Sequence, residues 1–473
     1  MSLLDKTKLL LQKHGVRPRK KLGQNFCIDS DLLKRLVEYS GVDGDDLVLE
    51  IGAGLGFLTE LLSKMAKEVI AVEIDSKLTR VLREELLDCK NVKVVEGDIL
   101  KTALPPLDVI VANPPYSISS NLIPYILEQK FKRAVLTLQD EFVDRLTARQ
   151  GSSEYGSLAV MAYFKAEIKI LEKIPPNSFY PQPEVTSRLV LIELRSSPFN
   201  VVDERFFLYL VKMLFTQRNK SLRNALEVVV SKRLDIKKSE ARTLIEDFPC
   251  LDLKVYEVKP EDFGVVSNST YNIVEGKRIS FEGRVFYVFP QVYEPSDDTF
   301  MLAERVKQEK CRRVLDVCTG CGILGILLAE KAGEAVLIDV NPQAVECARL
   351  NTKLNGVTDK VTVLHGDLFE GVTGKFDLIT CNPPYLLGDG ERSDLIAKAW
   401  NGGPDGRRVI DRFLEGAPRL LEVGGKILLV QSSLSNPEET VRRLEQSGLN
   451  AKILIEESFE FEKLTVIQAI REG

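Results

Sequence analysis

No stretch of the chain approaches about 18 consecutive apolar residues, so a membrane span is not expected. The amino-terminal segment "MSLLDKTKLLLQKHGVRPRKKLGQNF" lacks a secretory layout, because its basic cluster follows the apolar part instead of preceding it. Eight cysteines in 473 residues do not suggest a disulfide framework. Cys318-x-x-Cys321 is the single CxxC and has no partner pair at zinc spacing, so no metal is expected. These absences point to a cytoplasmic protein.

Neither charge sign is in large excess, but the balance is uneven. Residues 1–264 hold 39 Lys+Arg and 38 Asp+Glu, whereas the remainder holds 25 and 31. The basic residues of the first part cluster at Lys13, Arg17, Arg19, Lys20 and Lys21, and again from Lys212 through Arg218, Lys220, Arg223 and Lys232 to Lys238. Phosphate-bearing partners gain from such patches, and on charge alone a solvated basic face fits the same residues equally well. The 44% hydrophobic content supplies ample core for two or three domains.

One plan occurs twice. "LVLEIGAGLGFLTELL", "VIAVEID", "VKVVEGD" and "LDVIVANPPY" are followed much later by "RVLDVCTGCGILGILL", "AVLIDVN", "VTVLHGD" and "FDLITCNPPY". From Glu50 and Asp316, the next strand-end acids Glu73 and Asp339 both lie 23 residues on. Short apolar strands alternating with helical stretches at 57–65, 76–88, 323–331 and 342–354 predict two parallel α/β layers. Between the copies, further strands are expected at 134–139, 166–171 and 188–194. A basic helical segment is expected over 203–247, then a linker and a β-hairpin over 265–289.

In each copy an acidic strand end leads into a glycine-rich turn and a helix, where backbone N–H groups can approach a ligand. A carboxylate at the end of the second strand suits ribose hydroxyls, and Asp98 and Asp367 after the third suit an adenine amine. NPPY separates the cofactor classes. The lone pair of a planar amine is delocalised, so it is a poor nucleophile. The Asn oxygen and the next carbonyl can accept its two hydrogens and aim the lone pair at a sulfonium methyl. The prolines preorganise these acceptors, and the Tyr ring can stack on a flat substrate. A tight polar turn after a strand is the competing reading.

Residues 13–195 resemble the KsgA-type rRNA adenine dimethyltransferases through "RPRKKLGQNFCID", "LEIGAGLGFLT", "AVEID", "EGDIL", "NPPYSISS" and "IPPNSFYPQPEVTSRLVLIEL". "FTQRNKSLRNAL" extends the resemblance over essentially all of 1–264. It implies S-adenosylmethionine contacts from Gln24, Asn25, the Cys27 backbone, Gly52, Gly54, Glu73, Asp98 and Asn113. It further implies that Asn113 and Pro114 grip the target amine while Tyr116 and Phe179 sandwich a flipped adenine. The basic helical segment would dock rRNA of the small ribosomal subunit. The chain departs from the family in having Pro114 and Cys27 where Leu is usual.

Residues 290–473 resemble the HemK-like glutamine methyltransferases through "VYEPSDDTFMLAERV", "VLDVCTGCGILGI", "LIDVNPQAVECARLN", "GDLFE", "FDLITCNPPYL" and "WNGGPDGRRVIDRFL". This implies that Asp316, Thr319, Gly320, Gly322, Asp339, Asp367 and Asn382 frame S-adenosylmethionine, and that Asn382, Pro383 and Tyr385 hold a substrate amide. The implied partner is a class I release factor. Cys318 stands where Gly is common.

The expected fold is α/β, with two Rossmann-like class I methyltransferase domains: 1–200 catalytic, 201–264 helical, 265–289 linker and hairpin, 290–473 catalytic. The expected function is bifunctional methylation of the translation apparatus. Two alternatives stay open: a ribosome-assembly binding factor, and a second unit acting on a nucleic-acid amine or a lysine.

Overall fold

In a computed structural model, residues 1–19, 22–388, 396 and 399–473 are described; Lys20 and Lys21 of the first basic cluster lie outside them. The chain forms two compact units, one of residues 1–229 with 248–268 and the other of residues 230–247 with 269–473.

The first unit contains β1 (Phe26–Cys27), β2 (Leu47–Ile51), β3 (Glu68–Glu73), β4 (Val92–Glu96), β5 (Val109–Ala112), β6 (Arg133–Gln139), β7 (Ala166–Ile174), β8 (Phe179–Tyr180) and β9 (Ser187–Leu194). Seven of these form a sheet in the order β4-β3-β2-β5-β6-β9-β7, and the short β1 and β8 pair separately. The strands from β4 to β6 are parallel, while β9 runs antiparallel to both β6 and β7. Both faces of the sheet centre are covered, so β5 is apolar throughout and β2, β3 and β6 are mostly apolar, whereas the edge strands β4 and β7 carry exposed charged residues. Leu49, Ile51, Ile110 and Ala112 pack on one face, with Ile123, Ile126 and Phe142 from the helices there. Val48, Val109 and Val111 face the other way, against Leu32, Leu36, Leu58 and Leu62.

The second unit opens with the hairpin β10 (Lys277–Phe281) and β11 (Arg284–Val288). Its sheet strands are β12 (Arg313–Val317), β13 (Glu334–Asp339), β14 (Val361–His365), β15 (Phe376–Cys381), β16 (Leu421–Ser432), β17 (Asn450–Ser458) and β18 (Lys463–Ile470). Their order, β14-β13-β12-β15-β16-β18-β17, repeats that of the first unit strand for strand. In both sheets the strand order reverses beside the first strand, at β2/β5 and β12/β15. A crevice opens there at the carboxyl ends.

The expected helical segment consists of helices Glu204–Phe215, Leu222–Leu234 and Lys238–Leu244, but it is not one subdomain: residues 230–247 group with the second unit and the rest with the first. The expectation of a linker from 265 is corrected. Residues 265–274 continue a helix, Pro260–Val274. Phe263, Val266, Ser267, Thr270 and Ile273 are buried along it at helical spacing, so packing overrides the weak helix propensity of its Val, Ser, Asn and Thr residues. The hairpin follows, turning at Glu282 and Gly283.

Candidate functional site

At the reversal point of the first unit, the turn after β2 meets the NPPY loop after β5. Gly52 adopts φ +75°, and a Cβ there would stand 3.3 Å from Pro115 Cδ; a Cβ on Gly23 would stand 3.3 Å from Pro115 Cβ. Glycine at both positions lets two segments close on one proline ring. The resulting cavity, of about 80 Å³, is lined by Gln24, Asn25, Cys27, Glu50, Gly52, Gly54, Glu73, Asn113, Pro114 and Tyr116 among others.

Two buried carboxylates face it. Glu73 Oε2 accepts from Gly54 N–H at 3.0 Å and Oε1 from Asp75 N–H at 2.9 Å, while burial raises the carboxyl above its ordinary range. Burial pushes Glu50 up to about 8, and among the described residues its Oε2 has no hydrogen-bond partner. A cationic ligand carrying a ribose fits such a wall, because it offers positive charge and hydroxyl donors to these carboxylates. Gln24 spends both ends of its amide on structure, donating to Asp75 Oδ2 at 3.0 Å and accepting from Arg19 N–H at 2.8 Å.

Asn113 Nδ2 donates to the carbonyl of Asn25 at 3.4 Å. A carbonyl can only accept, so this contact orients the amide nitrogen toward it and leaves Oδ1 as the acceptor for a ligand. The Tyr116 hydroxyl pairs with Ser187 Oγ at 2.5 Å. Two expected residues lie outside the cavity lining. Phe179 is 2% exposed, paired across β1 and β8 with Cys27 and packed in the core. Asp98 caps the turn after β4 by accepting from Leu100 N–H at 3.1 Å.

The second unit repeats the device. Asp339 Oδ2 accepts from Gly320 N–H and Oδ1 from Asn341 N–H, both at 2.9 Å, and burial raises this carboxyl as well. Thr319, Gly320, Asp339, Asp367 and Asn382 line an opening of about 510 Å³. Asp367 Oδ2 is paired with Arg412 at 2.8 Å. Gly322 and Pro383 lie off the lining, and Asp316 sits behind it. Asp316 takes hydrogen bonds from Thr319 Oγ1 at 2.6 Å, Thr380 Oγ1 at 2.7 Å and Gly325 N–H at 3.1 Å; its carboxyl, raised by burial, reaches only about 6.

Asp298 is a participant that motif reading did not single out. This carboxylate, 4% exposed, accepts from Asn382 Nδ2 at 3.1 Å, the Tyr385 hydroxyl at 2.7 Å, the Tyr293 hydroxyl at 3.1 Å and Thr299 Oγ1 at 3.0 Å. Asn382 Nδ2 also donates to Thr299 Oγ1 at 3.0 Å. Burial, and then the adjoining carboxylate, raise the Tyr293 and Tyr385 hydroxyls far above their ordinary range. Tyr385 is thus turned into this network, off the cavity lining. In sequence, Asp297 and Asp298 look like ordinary first-turn acids of helix Asp297–Val306, which hides the role of the second. The apolar walls, Phe26, Leu55 and Leu78 in one cavity and Tyr293, Ile323 and Val409 in the other, carry no sequence signal apart from core.

Residues 15–250 match the model of the family described as ribosomal RNA adenine dimethylase, and residues 294–458 match the methyltransferase small domain. A probable ribosomal RNA small subunit methyltransferase A of Methanosarcina acetivorans is 40% identical over 252 residues, covering 53% of this chain and 93% of that protein. Its counterpart in Shouchella clausii is 36% identical, covering 56% and 94%. A solved E. cuniculi Mtq2–Trm112 complex, described as responsible for methylation of the eRF1 termination factor, is 26% identical. It covers 38% of this chain and 99% of that one, with a TM-score of 0.32. Both units have the Rossmann-like fold of S-adenosylmethionine-dependent methyltransferases. Through its first unit, the chain belongs to the ribosomal RNA adenine dimethylase family.

Proposed function

We propose that the protein is a bifunctional methyltransferase of the translation apparatus. The first unit dimethylates adenine amines of small-subunit rRNA, and the second methylates the glutamine amide of a class I release factor. S-adenosylmethionine, when bound, supplies an electrophilic methyl on a sulfonium. The protein groups bind and orient around it: Glu73 and Asp339 are held by backbone N–H groups where a ribose can be gripped, and the Glu50 carboxyl is one whose ionised form a neighbouring positive charge would stabilise.

One observation carries the reading of the reacting group. In each unit the Asn amide nitrogen is turned onto protein acceptors, so that Oδ1 is the atom left to receive a substrate N–H. The carbonyl of residue 114 or 383 can accept the other hydrogen, and the Pro at 114 keeps that carbonyl. With both hydrogens held, the nitrogen lone pair is aimed without a general base. In the first unit the Lys and Arg residues clustered at 13–21 and 212–223 favour an RNA partner. In the second, 31 acidic against 25 basic residues over 265–473 favour a basic protein partner over nucleic acid.

The test supplies the purified full chain with labelled S-adenosylmethionine, unmethylated small ribosomal subunits and a release factor–GTPase complex. Asn113→Ala is expected to lower the first transfer about 10²–10³-fold and leave the second unchanged, and Asn382→Ala the reverse. Release-factor labelling that survives Asn382→Ala sinks the second assignment. Labelling of RNA or of a lysine by the second unit transfers it to that substrate.

A further inference from the structure

We infer that Asp298 is a positioning residue of the second active site: it locks the Asn382 amide with its oxygen, and not its nitrogen, toward the substrate. The inference rests on the reading that Asn382 receives a substrate N–H, and it adds what makes that orientation obligatory.

An asparagine amide is nearly symmetric in shape, so packing alone hardly distinguishes its two orientations; the hydrogen bonds must do so. In the second unit they do. Both Nδ2 hydrogens have acceptors, Asp298 Oδ2 at 3.1 Å and Thr299 Oγ1 at 3.0 Å. The Thr299 hydroxyl spends its single hydrogen on Asp298 Oδ1 at 3.0 Å and so can only accept from Asn382. A carboxylate has no hydrogen to give. A flipped Asn382 would therefore point its oxygen at two oxygen acceptors, with no donor between them. The hydroxyls of Tyr293 and Tyr385 complete the shell around Asp298, fixing the carboxylate that fixes the amide. These donors consume its accepting capacity, so Asp298 neither takes a proton from the substrate nor touches the reacting atoms. Among the described residues, the first unit shows no such carboxylate hydrogen-bonded to its Asn113, whose amide rests on a backbone carbonyl at 3.4 Å.

Asp298→Asn tests this with little change of shape. The new side chain carries a donor as well as an acceptor, so Asn382 can turn its oxygen inward and present its nitrogen to the substrate N–H. The kcat for methylation of a full-length release factor carrying an unmodified Gly-Gly-Gln is expected to fall about 100-fold, the scale of one lost preorganised acceptor. The KM for S-adenosylmethionine should stay within about twofold. The exchange variant, Asp298→Asn with Asn382→Asp, again gives a donor facing an acceptor and places an oxygen toward the substrate. It is expected to recover about tenfold of the lost kcat, which a merely structural role would not restore.

A substrate-free measurement accompanies the kinetics. In the full chain labelled with 15N-asparagine, the Asn382 side-chain amide protons should exchange with solvent about tenfold more slowly than in Asp298→Asn. A kcat within threefold of wild type, a loss carried by the KM for S-adenosylmethionine, an exchange variant without recovery, or equal proton exchange overturns the inference. If wild type labels no release factor, the glutamine assignment falls. The proton-exchange result then still decides the role of Asp298.

Discussion

The two units share one strand order and one way of pinning the second-strand acid, yet they treat the first-strand acid in opposite ways. Glu50 is buried with an oxygen that has no partner among the described residues, whereas Asp316 at the matching position is held by three donors. The difference traces to two side chains. Thr380 lies opposite Asp316 across β12 and β15, and Val111 lies opposite Glu50 across β2 and β5. Thr319 in the following turn is matched by Ala53. The same backbone thus carries one acid stabilised by its neighbours and one that stays costly until something cationic arrives. What is common to the units serves a shared cofactor, and what differs is tuned locally.

The largest expected effect separates these acids by pH. The folded Glu50 keeps its proton up to about 8, while the unfolded chain releases it near 4.5. Stability present below pH 4.5 is therefore lost as pH rises toward 8. The loss is at most about 1.4 kcal/mol per pH unit. Glu50→Gln removes that slope, so its advantage in denaturant unfolding of the cofactor-free chain should widen from pH 5 to 8 and then level. For Asp316→Asn the widening should stop near pH 6. Equal pH ranges for the two variants would break the comparison.

A smaller effect sharpens it. Thr380→Val removes a donor from a buried carboxylate and should cost about 1.5–3 kcal/mol, read as a shift of the second unit's unfolding transition. Val111→Thr should do the converse, lowering the titration of Glu50 when followed by carboxyl 13C NMR. No fall there would mean that the donor cannot reach Glu50.

The smallest concerns the glycine turns. Cys318 holds φ +58° where the first unit has Gly52 at +75°. Cys318→Gly should stabilise the second unit by about 1 kcal/mol in thermal unfolding, because it removes a Cβ from a left-handed residue. Gly52→Ala should destabilise the first, since its Cβ would crowd Pro115.

Much of this architecture was legible in the sequence because it is local. Strand-end acids, glycine turns and NPPY each occupy a few contiguous residues, and their matched spacing gave away the duplicated layer order. What escaped depends on distant partners. Asp298 meets Asn382 across 84 positions, and nothing in "PSDDTF" distinguishes it from a helix-capping acid. Helix Pro260–Val274 has the composition of a loop and is helical because its buried face is packed. Phe179, expected against the substrate by resemblance, lies in the core opposite Cys27.

Pro115 has one more consequence. Its ring lies against the glycine turn on one side and the Gly23 segment on the other, so the turn proposed to meet the cofactor and the loop proposed to receive the substrate are packed on one ring. A turn that shifts to admit one ligand displaces the loop that receives the other. Occupancy at the two places is then thermodynamically linked, and the link is reciprocal: the factor by which S-adenosylmethionine changes RNA affinity must equal the factor by which RNA changes affinity for S-adenosylmethionine.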